Sequence, residues 1–173
     1  DEQKPMPVFY WRDSLELYAR QDTLQQLTRA LQRMQTNGKG NDLVRYTLEL
    51  TKQNIRVAEI QQVLTAYNTA MNLLGEAADG INLFIQYRNK AFIPKKNDND
   101  IQLMVDMPES MITRADSCIN SIRSVPDRYR KQMLELREQI MEVATTIYKH
   151  KLFLRQYFKL PEKKRKDLFK QTK

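Results

Sequence analysis

The sequence predicts an all-α protein, an elongated bundle of three to four long helices closing in a short basic C-terminal helix or tail. Three observations lead there. Apolar residues recur at alternating steps of three and four in two long segments, the spacing of a burial stripe on an α-helix. Only 4 glycines and 6 prolines occur in 173 residues, so the elements between them are long. Apolar residues make up 41% and charged residues 29%, which suits a packed domain and excludes a disordered tail or a membrane bundle. No apolar run is long enough to span a bilayer.

Residues 1–12 read as an extended arm, because Pro5 and Pro7 lack amide donors and fix their own φ. The arm ends in the aromatic cluster Val8, Phe9, Tyr10 and Trp11. A helical bundle domain is expected over 13–160. Asp13 has N-cap chemistry, with Glu16 at capping-box spacing, and the first helix carries Leu17, Leu24, Leu27, Leu31 and Met34 on one stripe. Asn37-Gly38-Lys39-Gly40 ends it.

The second helix has the strongest pattern: Leu43, Tyr46, Leu50, Gln53, Val57, Ile60, Leu64, Tyr67, Met71 and Leu74. Such a narrow apolar line is what coiled-coil packing requires. Its phase continues through Ala78, Ile81 and Ile85, across Gly75 and Gly80, so one helix to about residue 90 is expected. Its length is about 74 Å at the helical rise, hence the elongated shape. Each glycine costs roughly 1 kcal/mol against alanine, which makes this stretch the place for a kink.

Residues 93–106 read as a connector insert, polar at Pro94–Asp100, with Ile101–Val105 as a short strand or apolar plug. Asp106, Pro108 and Glu109 resemble a helix start. The third helix then runs to about Ser124, with Met111, Ala115, Cys118 or Ile119, and Ile122 inward. After Val125-Pro126-Asp127 a fourth helix carries Tyr129, Met133, Leu136, Ile140, Val143, Ile147, His150, Leu154 and Tyr157. Pro161 ends it, and 161–173 forms the basic tail.

Net charge is +8, and its distribution matters more than its size. Residues 1–148 hold 19 basic and 19 acidic side chains, whereas 149–173 hold 10 basic against Glu162 and Asp167. The tail cations Lys159, Lys163, Lys164, Arg165, Lys166 and Lys170 could meet phosphates on nucleic acid or on an anionic lipid surface, or simply keep the chain soluble. The tail has too few aromatics to act as a base-stacking platform.

No catalytic machinery is legible. The single cysteine, Cys118, and the single histidine, His150, both fall on inward stripes and read as packing or hydrogen-bonding residues. Gln53 and His150 are polar residues at seam positions, which suits them to fixing register or partner choice. No HExxH, CxxC or phosphate-loop spacing occurs, and Asp98, Asp100 and Asp106 lack the glycine and terminal glutamate of a calcium loop. No metal, cofactor, small-molecule substrate or enzymatic activity is expected.

A non-enzymatic interaction or structural protein remains, with protein partners or copies of itself. The aromatics Val8–Trp11 either cover an open end of the core or dock another subunit. Recognition of phosphate surfaces through 149–173 is the alternative. The layout (arm, helix through Leu17–Met34, Gly38-Lys39-Gly40 turn, very long helix from Leu43, insert at 93–106, long helix from Tyr129) resembles the exported minor pilin-type components of conjugative type IV secretion. That resemblance implies export and a place in a cell-envelope assembly; it transfers no residue roles. The start at Asp1-Glu2-Gln3-Lys4-Pro5 reads as a mature N-terminus after export, so a periplasmic or secreted location is expected.

If the two apolar stripes are burial faces, an acidic side chain at Leu64 or Ile140 should lower the melting temperature sharply. Circular dichroism of the parent chain should be dominated by helix. Unchanged melting in both variants would contradict the burial reading.

Overall fold

An amphipathic helix draws most of its stability from covering its apolar side, so each long stripe requires a packed neighbour. A computed structural model of the chain describes residues 8–37, 40–90, 92, 95–122, 125–165 and 168, with backbone alone at 8–16, 18, 35–37, 40–42 and 128. The elements are α1 (Val8–Asn37), α2 (Gly40–Asn89), α3 (Asp98–Asn120) and α4 (Arg130–Lys159), with 3-10 turns at Asp127–Tyr129 and Glu162–Lys164. Among the described residues there is no strand, and no helix is long and apolar enough to cross a membrane. The chain divides into two compact units, Asp1–Thr65 and Ala66–Lys173. The border falls inside α2, whereas the sequence suggests one bundle domain over 13–160.

In the first unit α1 packs on the start of α2. Leu17, Leu24, Leu27, Leu31 and Met34 are half-buried, as the stripe predicts, and face a seam that deepens to the buried Val57, Ile60 and Leu64. Arg20 donates to Gln53 Oε1 at 3.2 Å, a part-buried hydrogen bond between α1 and α2.

The extended arm is corrected at its C-terminal end. Backbone from Val8 onward is helical, so Val8, Phe9, Tyr10 and Trp11 form the first turn of α1 and Asp13 lies within the helix. Proline restricts the residue before it, not the one after it, so Pro7 does not prevent a helix from starting at Val8. Residues 1–7 lie outside the described set.

The second unit joins the rest of α2 to α3 and α4. The uninterrupted passage of α2 through Gly75 and Gly80 agrees with the continuous heptad phase. Its buried face is wider than the narrow line expected: Tyr67, Ala70, Leu73, Leu74, Ala77, Ile81, Phe84 and Tyr87 are all buried. The width comes from serving two neighbours. Gly80 approaches Pro108 on α3, while Phe84 and Arg88 meet His150 and Phe153 on α4. Arg137 donates to Asn120 at 2.6 Å, and Lys151 pairs with Glu109 at 2.6 Å, so α3 and α4 run antiparallel. Burial, with Glu135 of α4 adding to it, pushes the Tyr67 hydroxyl up to about 12. That Tyr67 lies by Glu135 and Arg88 by His150 makes α4 parallel to α2. The three helices run up, down and up.

On α4 the expected seam is in place, with Tyr129, Met133, Leu136, Ile140, Ile147 and Leu154 buried and Val143, His150 and Tyr157 half-buried.

The connector is shorter than the sequence suggests. Helix α3 starts at Asp98, where the Asn97 side chain accepts from the Asp100 amide at 2.8 Å and acids occupy the first turn. Ile101 and Val105 are buried on its inner face, so the strand or plug is a helical stripe, and Asp106 is no cap. Pro108 is in the helix interior, where its missing amide forfeits one backbone bond. Ile119, not Cys118, takes the deep inward position; Cys118 is half-buried with a free thiol.

The two α2 glycines have different reasons. A Cβ added at Gly80 would lie 2.8 Å from Pro108 Cγ, a contact that a rigid ring cannot relieve. An added Cβ at Gly75 meets nothing within 4 Å. The same substitution should therefore have opposite signs on one helix. Gly75→Ala should stabilise by about 0.5–1 kcal/mol through propensity, and Gly80→Ala should destabilise by about 1–3 kcal/mol through overpacking. Urea unfolding of the two variants checks this directly.

Candidate functional site

The last turns of α2, the turn after it, the start of α3 and the end of α4 gather six aromatic rings. Phe84 and Tyr87 come from α2, Phe92 from the turn, and Phe153, Tyr157 and Phe158 from α4. Tyr87 meets Phe92 edge-on at 4.7 Å, and Phe92 lies 5.2 Å from Tyr157. Phe153 stacks on Tyr157 at 5.8 Å. The Phe92 backbone has φ 58°, in the left-handed region that disfavours a side chain by about 1–2 kcal/mol. Burying a phenylalanine is worth about 1.5–3 kcal/mol, enough to hold it there.

Cations surround this cluster. The Arg88 guanidinium lies 3.6 Å over the Phe153 ring, and one of its nitrogens is 3.1 Å from His150 Nδ1. The bond makes His150 Nδ1 an acceptor, which places the ring proton on Nε2 in the neutral form. Phe84 presses edge-on against the imidazole at 5.5 Å. Burial, then Arg88 and Lys149, lower the His150 pKa below 6.5. Burial also lowers that of Arg88, whose guanidinium nonetheless stays charged at neutral pH. Lys96 donates its amide to the Tyr87 hydroxyl at 2.8 Å, and its ammonium lies 5.9 Å from the same ring.

Arg165 is the one tail cation with a built-in anchor among the described residues. Its NH1 reaches both Asp98 oxygens at 3.1 and 3.2 Å, its Nε donates to Leu160 O at 3.2 Å, and Tyr157 and Phe158 lie 5.1 and 5.5 Å away. With its side chain only 16% exposed, Arg165 is a clasp between the tail and α3 and not a freely offered phosphate contact. That corrects its assignment to the tail's binding set. Lys159, Lys163 and Lys164 are exposed, on the last turn of α4 and the following 3-10 turn. Lys166 and Lys170 lie outside the described residues.

The structure thus separates the expected site residues. Gln53 and the aromatic turn Val8–Trp11 belong to the first unit, whereas His150 and the tail lysines belong to the second. It also supplies residues that sequence reasoning missed: Arg88, Phe84, Phe92 and Phe153. Their signal is present in two dense aromatic stretches, 84–92 and 153–158, but nothing in linear order brings those stretches together. No group of acids, His and Cys able to hold a metal occurs among the described residues.

The lowered His150 pKa sets the sign of the pH dependence. The folded chain resists a proton that the unfolded chain accepts. The stabilising contribution is therefore full above 6.5 and is lost as pH falls through the lower folded value. Melting temperature should drop between about pH 7.5 and about pH 5.5, and His150→Gln should flatten that drop. A parallel drop in the variant would show that other groups cause it.

No protein-family model matches the chain, and no curated protein or solved structure matches it.

Proposed function

We propose that this chain is a non-enzymatic interaction protein, a helical module that presents outer helix faces to protein partners in a larger assembly. One observation carries the reading. On α4, Leu134, Met141 and Tyr148 stand at seven-residue steps and are 61%, 68% and 56% exposed. The inward face of the same helix is already filled by Met133, Leu136, Ile140, Ile147 and Leu154. An apolar line at that spacing on a solvent face matches the stripe of a second amphipathic helix. Val44, Leu48 and Ile55 form a similar exposed row in the first unit. The turn Val8–Trp11 is proposed as a further partner contact, and the layout resemblance to exported pilin-type components adds a cell-envelope setting.

Photo-crosslinking from Met141 in the full chain tests this, with the exposed polar Gln139 on the same helix as control. Adducts should form from position 141, not from 139, and disappear when Leu134→Glu and Tyr148→Glu are added. The added charges should shift stability by less than about 0.5 kcal/mol, because both sites are exposed. Equal adducts from both positions would remove the α4 row as a contact surface.

A second reading, recognition of phosphate groups at the basic end of the second unit, has its own support. Lys95 and Lys96 before α3 are exposed, as are Lys159, Lys163 and Lys164, and the aromatic cluster joins α2, α3 and α4 at this end.

A further inference from the structure

We propose that Arg88 and His150 form a binding site for the dianionic head of a phosphate monoester. The inference rests on the second reading above but concerns a defined pair of side chains, apart from the tail lysines.

The first ground is an uncompensated cation. Arg88 is half-buried, and among the described residues no carboxylate pairs with it. Buried charges are ordinarily matched by an opposite charge. Here the partners are a neutral imidazole nitrogen and the face of Phe153. Neither supplies a negative charge, and the ring face offsets only part of the positive one. The second ground is open donor capacity. Arg88 gives one nitrogen to His150, and among the described residues its other guanidinium nitrogens make no hydrogen bond. The only buried side-chain polar atom left without a partner among the described residues is Gln132 Oε1. The remaining nitrogens of Arg88, and His150 Nε2, are therefore within reach of solvent.

The third ground is that the charges acting on the ring are cationic, Arg88 from α2 and Lys149 on α4. The Glu109 carboxylate of α3 is already paired at 2.6 Å with Lys151, the residue after His150. A bound anion would reverse the local electrostatics. Protonated from solvent at Nδ1, the ring would release the Arg88 N–H that it now accepts. Arginine and imidazolium would then both donate to one oxyanion, which a planar guanidinium suits well. A dianion gains more from this second charge than a diester does, so terminal phosphate is favoured over nucleic-acid backbone. Phe84 and Phe153 are engaged with His150 and Arg88, so these rings do not offer a stacking platform for bases.

His150 is the only histidine in the chain, so its ring C2–H gives one NMR signal. Inorganic phosphate is titrated into the full chain, against chloride at equal ionic strength, and the His150 titration curve is recorded with and without phosphate. Phosphate should shift the signal saturably and move the titration midpoint upward; chloride should do neither. Arg88→Met should weaken phosphate binding by at least about tenfold, the value of one charge-assisted hydrogen bond. A linear response, or saturation unchanged in Arg88→Met, overturns the site. Should Arg88→Met lose helix content, Arg88→Gln takes its place, and unaltered affinity there overturns the site as well. Phosphatidic acid vesicles that compete with phosphate identify a lipid headgroup as the source. Absence of competition with saturable phosphate binding retained identifies a free phosphate, and either result supports the site. A DNA oligomer that competes as strongly as phosphate overturns the monoester assignment. Vesicle binding that survives Arg88→Met but fails in Lys163→Gln/Lys164→Gln leaves the second reading standing and removes this site.

Discussion

The second unit depends on one constraint: the α2 face from Tyr67 to Tyr87 is too broad for a single neighbour. A helix with buried residues at 70, 73, 74, 77, 81 and 84 has to be covered from two sides. Helices α3 and α4 supply those sides, and small residues set how near they come. Ala70 and Ala77 are fully buried, and Gly80 admits the Pro108 ring of α3. Once α3 and α4 lie on α2, the polar links at Arg137–Asn120 and Lys151–Glu109 fall into place along the antiparallel pair. One is a hydrogen bond from Arg137 to the neutral amide of Asn120, and the other is a part-buried ion pair; together they fix the alignment of the two helices.

The basic aromatic end arises from the same packing. Phe84 and Arg88 are one turn apart on α2, and so stand on the same side as His150 and Phe153, likewise about one turn apart on α4. The turn returns Phe92 to the rings at the expense of a left-handed backbone, and Arg165 fastens the chain after α4 to the start of α3. Aromatic faces let cations accumulate here with few acids, because a ring quadrupole offsets part of the charge. The result is a positively charged end built on packed rings.

Much of this architecture is legible in the sequence, for a physical reason. The stripes through Leu43–Leu74 and Tyr129–Tyr157 are long, and a long periodic pattern averages out local exceptions. The heptad phase crossing Gly75 and Gly80 points correctly to a single α2, because a helix interrupted at a loop loses its phase. The errors lie where one residue type carries two meanings. Pro108 reads as a helix start in the sequence, yet it is an interior residue whose lost hydrogen bond is offset by burial against Gly80. Pro5 and Pro7 suggest an extended segment reaching past Val8, although a proline does not constrain its C-terminal neighbour. Of the candidate site, His150 is legible as the odd polar residue on a seam. Arg88 is not: its partners come from another helix, 62 residues away for His150, and periodicity says nothing about which residues on different helices meet.

Pro108 has a further consequence. A proline in a helix interior opposes helix formation by about 3 kcal/mol, so α3 in isolation has little reason to be helical. The Gly80 notch supplies the tertiary contact that makes the element worthwhile. The order of α3 is in that sense borrowed from α2, and the secondary structure of this segment is a readout of whether its neighbour is properly docked.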